Sequence, residues 1–266
     1  SNSPMRIALG IEYDGSGFSG WQVQPDRPTV QAEVERALQM FSGTGDPVPT
    51  ICAGRTDAGV HATAQVVDFS PKVKRPAEAW VRGTNAFLPK SVAVRWAKEV
   101  PDDFSARFSA RSRTYEYWIL NDPVRSPLLF GRTGWCFRPC DEGKMREAAA
   151  VLVGTHDFTS FRAAECQAKS PVRTLHSIDV VRKGKLIGIQ LHANAFLQHM
   201  VRNIVGSLVY VGIGKKPVPW LGNVLEARNR SLAAPTFSAS GLYLAGVEYP
   251  PELQLPVFSP TFFDGV

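Results

Sequence analysis

An arginine and an aspartate stand two residues apart in a glycine-flanked loop, CAGRTDAGVHA at residues 52–62. Gly54 and Gly59 permit left-handed backbone conformations and let the main chain approach a ligand closely. If this segment is extended, the side chains of Arg55 and Asp57 point to the same side. A nearby guanidinium lowers the pKa of a carboxyl group by roughly 1 to 3 units, which favours a nucleophile over a proton donor.

The residues of this loop alone leave three other interpretations open. Asp-Ala-Gly is common turn material, so Asp57 could simply cap its own backbone. A non-catalytic RNA-binding module would need exposed aromatic residues on a sheet, but no ionised aspartate in such a loop. An Asp-dependent hydrolase would need metal-binding carboxylates, a phosphate loop or a second carboxylate, none of which the loop supplies. Thr56 and His61 are interpreted as residues that shape the loop.

The overall composition predicts a globular protein with a mild preference for polyanionic partners. The chain has 266 residues, of which 44% are hydrophobic, enough for one large domain or two modest ones. Lys and Arg outnumber Asp and Glu by 30 to 24, giving a net charge of +6. The basic residues recur in clusters among apolar and aromatic residues, which favours a groove that follows phosphates. These clusters are Lys72, Lys74 and Arg75; Arg107, Arg111 and Arg113; Lys169 and Arg173; Lys215 and Lys216; and Arg228 and Arg230.

Targeting signals are missing from the sequence pattern. There is neither an uninterrupted apolar run of about 18 residues nor a basic-then-apolar leader pattern. We therefore expect a soluble, cytoplasmic protein that does not bind membranes. Residues 1–4, before Met5, are interpreted as an expression remnant or a frayed end and are left out of the fold prediction.

The four cysteines do not predict a metal site. Cys136 and Cys140 are separated by three residues, in the segment CFRPC, but no second close pair of cysteines or histidines completes a zinc ligand set. Together with Cys52 and Cys166 they are predicted to be reduced, mostly buried thiols.

The first part of the chain predicts alternating strands and helices. Strands are expected at residues 5–14, around AQVVDFS and over residues 92–97, where apolar and polar residues alternate. A helix is expected after Thr29, a good N-cap, with an apolar stripe that ends at Gly43. A second helix is expected over residues 76–89, between two prolines.

The second part predicts a similar arrangement. RSRTYEYWIL is expected to be a strand, KMREAAAVLVG a helix and residues 174–196 a hairpin around Lys183 and Gly184. A long helix over residues 198–214 carries two adjacent apolar stripes, so it is expected to be broadly buried.

These elements predict a mixed α+β fold of two lobes. Each lobe is expected to be an antiparallel or mixed sheet with helices on one face, with the active site in a cleft between the lobes. The expected division is an N-terminal lobe at 5–110 that carries the Asp loop, a C-terminal lobe at 111–250 and a tail at 251–266.

Seven segments, in order and spacing, resemble the TruA-type tRNA pseudouridine synthases. They are DGSGFSGWQVQP, TVQAEVERAL, GRTDAGVHATAQVVDF, RFSARSRTYEYWIL, HDFTSFRAAECQAKSPVRT, NAFLQHMVRNIVG and GLYLAGVEYP. The resemblance covers nearly the whole chain, but not CFRPC or the tail after Pro251. It implies an isomerase that makes pseudouridine in the anticodon stem-loop of tRNA, at positions 38 to 40, and that acts as a homodimer.

The resemblance also implies roles for five residues. Asp57 is similar to the family's catalytic aspartate, and Tyr115 to the tyrosine that packs on the uracil ring and has been considered for moving the C5 proton. Arg173 is similar to the arginine that pairs with the aspartate. Arg55 resembles the side chain that enters the space left by the flipped nucleotide, and Leu242 the apolar wall of the uracil pocket.

The implied reaction agrees with the chemistry of these side chains. Isomerisation breaks the bond between N1 and C1′, turns the ring and joins C5 to C1′, so no redox step occurs and no cofactor is expected. An ionised aspartate could attack either C6 of the ring or C1′ of the ribose. Without the resemblance, Arg173 would be interpreted as a phosphate contact and Tyr115 as a core aromatic residue.

Overall fold

The structure, a computed structural model, describes residues 5–257. Within that range the backbone forms ten strands and five α-helices, which confirms the predicted mixed α+β class. The described residues divide into two units, one built from 5–111 together with 244–257 and the other from 112–243. None of the helices in the described range combines the length and the apolar character needed to cross a bilayer.

The N-terminal part of the first unit, up to Arg111, contains four strands and two helices. In chain order these are β1 (Arg6–Tyr13), α1 (Val30–Ser42), β2 (Ile51–Cys52), β3 (His61–Phe69), α2 (Ala79–Asn85) and β4 (Val92–Val100). Strand β1 is central, because it pairs antiparallel with both β3 and β4. The short β2 pairs antiparallel with β3, so the loop between them leads directly into a buried strand.

Helix α1 begins and ends where the sequence predicts. The Thr29 side chain caps the first turn by accepting a hydrogen bond from Ala32 N at 3.4 Å, and Gly43 ends the helix in the left-handed conformation with a φ of 71°. Of the predicted apolar stripe, Val30, Val34, Ala37 and Leu38 are buried and Phe41 is half-buried. Both boundaries are set by local chemistry, which is why the sequence reveals them.

The second unit contains the remaining elements. They are β5 (Ser112–Asn121), β6 (Gly134–Cys136), α3 (Glu142–Ala149), β7 (Gly154–Asp157), β8 (Val172–Lys183), β9 (Leu186–Ala193), α4 (Met200–Gly212), α5 (Trp220–Ala227) and β10 (Leu242–Glu248), whose last residues belong to the first unit. Strands β5, β9, β8 and β7 pair antiparallel in that order, and β6 runs parallel to β5.

Helix α4 and the β8–β9 hairpin confirm two further predictions. Eleven of the 13 residues of α4 are buried, and the helix packs against α3 and α5. Its apolar faces are therefore used inside the second unit. The hairpin turns at Gly184, which has a φ of 62°.

Several element boundaries differ from the sequence prediction. Helix α2 is shorter than the predicted 76–89, because the chain leaves it through tight turns closed by the Phe87 and Leu88 amides. Helix α3 begins earlier than predicted, because Asp141 caps it by accepting a hydrogen bond from Lys144 N at 3.0 Å. The sequence analysis assigned no helix to α5 and no strands to β2, β6, β7 and β10.

The chain returns to the first unit at its C-terminal end. Tyr249 packs its ring 5.3 Å from that of Phe104 and donates a hydrogen bond to Ala106 O at 2.6 Å. Lys98 Nζ donates to the carbonyls of residues 253 and 254. The sequence analysis had instead placed 111–250 in a C-terminal lobe and 251–266 in a tail; residues 258–266 of that tail, like residues 1–4, lie outside the described part of the chain.

Candidate active site

Asp57 lies in the tight turn that connects β2 to β3. Val60 N donates to Asp57 O at 3.0 Å and closes the turn, and Gly59 adopts the left-handed conformation with a φ of 82°. The Asp57 side chain is half-buried, whereas Arg55 is exposed. The turn therefore holds its carboxylate in a partly desolvated position while the neighbouring guanidinium remains in water.

The loop between β1 and α1 clamps this turn through the backbone. Trp21 N donates to Thr56 O at 3.0 Å, and Gly59 N donates to Phe18 O at 3.3 Å. Gly20 has a φ of 93°, and a Cβ atom there would lie only 2.8 Å from Thr56 O. Only glycine allows this close approach, so the segment DGSGFSGW sets the position of the residue that precedes Asp57.

Buried side chains hold the turn from beneath. The Tyr13 and Thr56 hydroxyls lie 2.7 Å apart in a hydrogen bond. Gln65 Nε2 donates to Gly54 O at 2.7 Å and is 3.4 Å from the Tyr13 hydroxyl. His61 Nδ1 accepts a hydrogen bond from Gly15 N at 2.9 Å, which assigns the ring proton of a neutral His61 to Nε2. Thr56 and His61 thus shape the loop, as the sequence predicts.

Positive charge surrounds the start of this turn. Burial raises the pKa of the Cys52 thiol to about 11, while the Arg55 and Arg107 guanidiniums act in the opposite direction and lower it. Arg107 is exposed and lies 4.9 Å from the centre of the exposed Phe108 ring. The first unit therefore places two guanidiniums close enough to Cys52, at the start of the Asp57 loop, to act on its thiol.

Tyr115 is a half-buried residue of β5 in the second unit. It pairs with Leu191 of β9. Its ring lies edge-to-face with that of Phe196, with centroids 5.0 Å apart and an interplanar angle of 85°. This contact fixes the orientation of the tyrosine ring, which a stacking surface requires.

Arg173, on β8, is a partly buried guanidinium with an unsatisfied donor. Its Nη1 donates to Ser170 O at 2.8 Å and to Val172 O at 2.7 Å. Its Nε is buried and has no hydrogen-bond partner among the described residues. Burial lowers the pKa of this guanidinium; Cys166 acts in the opposite direction and raises it, and the charge of Arg162 lowers it further. A buried N–H without an acceptor is costly, so the arrangement suits an anionic partner.

Leu242 begins β10 and is buried against β5. The segment before it is fixed by Tyr117, whose hydroxyl donates a hydrogen bond to Ser238 O at 2.6 Å. Burial raises the pKa of this tyrosine. Gly241 passes so close to β5 that a Cβ atom there would lie 2.3 Å from Trp118 O. The backbone of GLYL is therefore held against β5, and Leu242 is a rigidly positioned apolar residue.

The five expected site residues divide between the two units. Arg55 and Asp57 share the loop of the first unit, while Tyr115, Arg173 and Leu242 belong to the second. Sequence reasoning missed the supporting roles of Tyr13, Gly20 and Gln65. The glycine-rich segment before α1 and the polar Gln65 within the apolar strand β3 are the signals that could have revealed two of them.

Comparisons with known proteins agree with the sequence motifs. A family model described as tRNA pseudouridine synthase matches residues 10–109 and 148–250. A protein from Bordetella petrii named tRNA pseudouridine synthase A is 58% identical over 250 residues, which cover 94% of this chain and 93% of that protein. A protein of the same name from Herminiimonas arsenicoxydans is 57% identical over 255 residues, covering 94% of this chain and 92% of that one. A chain of a solved Cbf5-Nop10-Gar1 complex matches 89% of this chain and 57% of its own length, at 9% identity and a TM-score of 0.35, too low to carry an argument.

Proposed function

This chain belongs to the tRNA pseudouridine synthase family, a family of isomerases, and we propose that it modifies uridines at positions 38 to 40 of the tRNA anticodon stem-loop with Asp57 as nucleophile. The observation that carries the proposal is the position of Asp57, half-buried in a glycine turn that several long-range hydrogen bonds hold in place. The reaction exchanges the N1–C1′ bond for a C5–C1′ bond and moves one proton from C5 to N1. It involves no net oxidation.

Asp57 supplies the oxygen that attacks the uridine, at C6 of the ring or at C1′ of the ribose. A nucleophile of this kind must be ionised and yet partly free of water. The half-buried position of Asp57 supports the second requirement, and Arg55 supplies a cation in the same loop. Arg55, which is exposed, enters the space left by the flipped nucleotide.

Arg173 pairs with the Asp57 carboxylate in the working site. The unsatisfied Nε donor of Arg173 supports an anionic partner, and a bidentate guanidinium is the strongest cation for a carboxylate. This pairing keeps the nucleophile charged after water has been excluded.

Tyr115 and Leu242 hold the uracil ring. Stacking of a base on an aromatic side chain contributes roughly 1 to 3 kcal/mol, and the edge-to-face contact with Phe196 holds the Tyr115 ring ready for it. Extracting a nucleotide from a stem costs a few kcal/mol, so one stack does not drive binding. Phosphate contacts from basic residues such as Arg107 supply the remainder.

The active protein is a cytoplasmic homodimer. The segment between β5 and β6 supports the dimer, because it exposes three large apolar side chains: Val124 at 68%, Leu128 at 89% and Phe130 at 85%. Clustered apolar groups at a surface are typical of protein interfaces. Helix α4, by contrast, is already buried within its own unit and gives no support for a dimer.

Mapping of pseudouridine in unmodified tRNA transcripts tests the substrate. Chemical mapping after incubation with the enzyme should find the modified base at positions 38 to 40, and tritium at C5 of uridine should be released in equal amount. Pseudouridine confined to other positions would overturn the anticodon assignment. A pure RNA-binding module would release no tritium, and a hydrolase would release free base or phosphate.

A further inference from the structure

The two cysteines of CFRPC form a close pair of thiols in the second unit. Cys136 is the last residue of β6, and Cys140 stands just before the N-cap of α3. Their sulfur atoms lie 3.5 Å apart, and the two residues are only 8% and 6% exposed. A disulfide bond is about 2.05 Å long, so the thiols have to approach by roughly 1.5 Å to be joined.

A set of polar contacts builds the turn that brings these sulfurs together. Asn121 Nδ2 donates to Cys136 O at 3.1 Å and to Arg138 O at 2.7 Å, while its Oδ1 accepts from Cys140 N at 3.1 Å. Arg182 Nη2 donates to Asn121 Oδ1 at 3.1 Å and to Cys140 O at 2.7 Å. One amide side chain thus holds both halves of the turn, and the partly buried Arg182 guanidinium fixes that amide.

The two sulfurs are chemically unequal. The hydrogen bond from the Cys140 thiol lowers the pKa of Cys136 to about 7, with help from the charge of Arg138. The same contact, together with burial, raises the pKa of Cys140. Cys52 provides a contrast, since burial raises its pKa to about 11. The lowered pKa of Cys136 favours its thiolate, which is the nucleophilic form of a cysteine.

We propose that Cys136 and Cys140 are a dithiol site that reacts with hydrogen peroxide and closes reversibly to a disulfide. The Cys136 thiol first loses its proton to the solvent. Its thiolate then attacks one peroxide oxygen, the O–O bond breaks, and the departing hydroxide takes up that proton and becomes water. The Cys140 sulfur then attacks the Cys136 sulfenic acid, and the departing hydroxyl leaves as water with the Cys140 proton. Two thiols are oxidised to one disulfide, and peroxide is reduced to two water molecules.

The site is separate from the residues assigned to the isomerisation. None of the five expected site residues contacts Cys136 or Cys140 in the hydrogen bonds described above. The small exposure of Cys136 suits a small oxidant such as hydrogen peroxide and disfavours a bulky one. The proposal therefore stands whether or not the isomerase assignment holds.

Peptide mass mapping tests the proposal on the whole protein. Trypsin cleaves after Arg132 and Lys144 but not between Arg138 and Pro139, so residues 133–144 form one peptide that holds both cysteines. After brief treatment with hydrogen peroxide at neutral pH, this peptide should lose two hydrogen atoms and regain them with dithiothreitol. Cys52 and Cys166, in other tryptic peptides, should react at least about tenfold more slowly.

Variants separate the roles of the two sulfurs. In Cys140→Ser, peroxide should leave a sulfenic acid on Cys136 that dimedone traps, whereas Cys136→Ser should leave Cys140 unmodified. Asn121→Ala, which frees the turn, should slow disulfide formation at least about tenfold while both thiols remain present. The proposal is wrong if, in the wild type, the 133–144 peptide is oxidised no faster than the peptide that holds Cys52. It is also wrong if Cys136 is oxidised without forming a disulfide bond to Cys140.

Discussion

Substitution of Gly20 by alanine tests whether the loop before α1 positions Asp57. Gly20 has a φ of 93°, and a non-glycine residue in that region costs roughly 1 to 2 kcal/mol. The new Cβ would also lie 2.8 Å from Thr56 O, where ordinary contacts begin at 3.4 Å. The Thr56 carbonyl must therefore retreat by about 0.6 Å, the difference between these two distances, and Asp57 is the next residue.

The expected result is a large loss of turnover with a modest loss of stability. A misplacement near 1 Å costs on the order of 100-fold in rate, so Gly20→Ala should lower single-turnover pseudouridine formation by roughly 10- to 100-fold. Its Tm should fall by roughly 2 to 8 °C, because a loss of about 1 to 2 kcal/mol in the free energy of unfolding shifts the Tm of a protein of this size by that amount. Quenched tritium-release assays measure the single-turnover rate, and thermal melts of the same preparation measure the Tm.

Gly43→Ala is a matched control for this experiment. Gly43 also has a left-handed φ, 71°, and lies in the same unit, but a Cβ there would meet no heavy atom within 4 Å. It should therefore lose a similar amount of stability while keeping nearly wild-type turnover. If both variants lose the same activity, or if Gly20→Ala keeps its turnover, the loop does not position the aspartate.

Three other substitutions test individual contacts. Tyr13→Phe removes the hydroxyl that is hydrogen-bonded to Thr56, so the free energy of unfolding should fall by about 1 kcal/mol in a denaturant titration, with a several-fold loss of turnover. Arg173→Lys keeps the charge but loses the planar fork, so turnover should fall at least about tenfold in the tritium assay. Tyr115→Ala should weaken tRNA binding by roughly 1 to 3 kcal/mol in a filter-binding assay, whereas Tyr115→Phe should retain it.

Each of these variants has an outcome that would refute its reasoning. Wild-type unfolding and turnover of Tyr13→Phe would show that the buried hydroxyl pair is unimportant for the turn. Undiminished turnover of Arg173→Lys would rule out the proposed ion pair. Equal tRNA affinity of the alanine and phenylalanine variants at Tyr115 would show that no base stacks there.

Local signals made much of the fold predictable. The N-cap Thr29 and the left-handed Gly43 mark helix α1 at both ends, and the turn glycine marks the β8–β9 hairpin. Helix α5 was missed although Leu221, Val224 and Leu225 have helical spacing, because eight residues give a weak periodic signal. The return of residues 244–257 to the first unit was missed because it depends on long-range packing.

The candidate site was only partly predictable for the same reason. Asp57 and Arg55 attract attention through the composition of one loop, but nothing near Arg173 in the sequence indicates an unsatisfied buried Nε. The clamp by Gly20 joins residues more than thirty positions apart, from different loops. Such contacts follow from strand pairing and not from any local pattern.

The most direct test of the account is single-turnover pseudouridine formation by Asp57→Asn, measured together with tRNA affinity. The exposed Asp46 provides the matched control Asp46→Asn. We expect Asp57→Asn to bind tRNA within a few-fold of the wild type and to lose at least about 1000-fold in rate, because an amide oxygen is a poor nucleophile, while Asp46→Asn keeps both properties. Pseudouridine formation by Asp57→Asn at the wild-type rate, or a loss of tRNA binding parallel to the loss of activity, would contradict a nucleophilic role for this carboxylate.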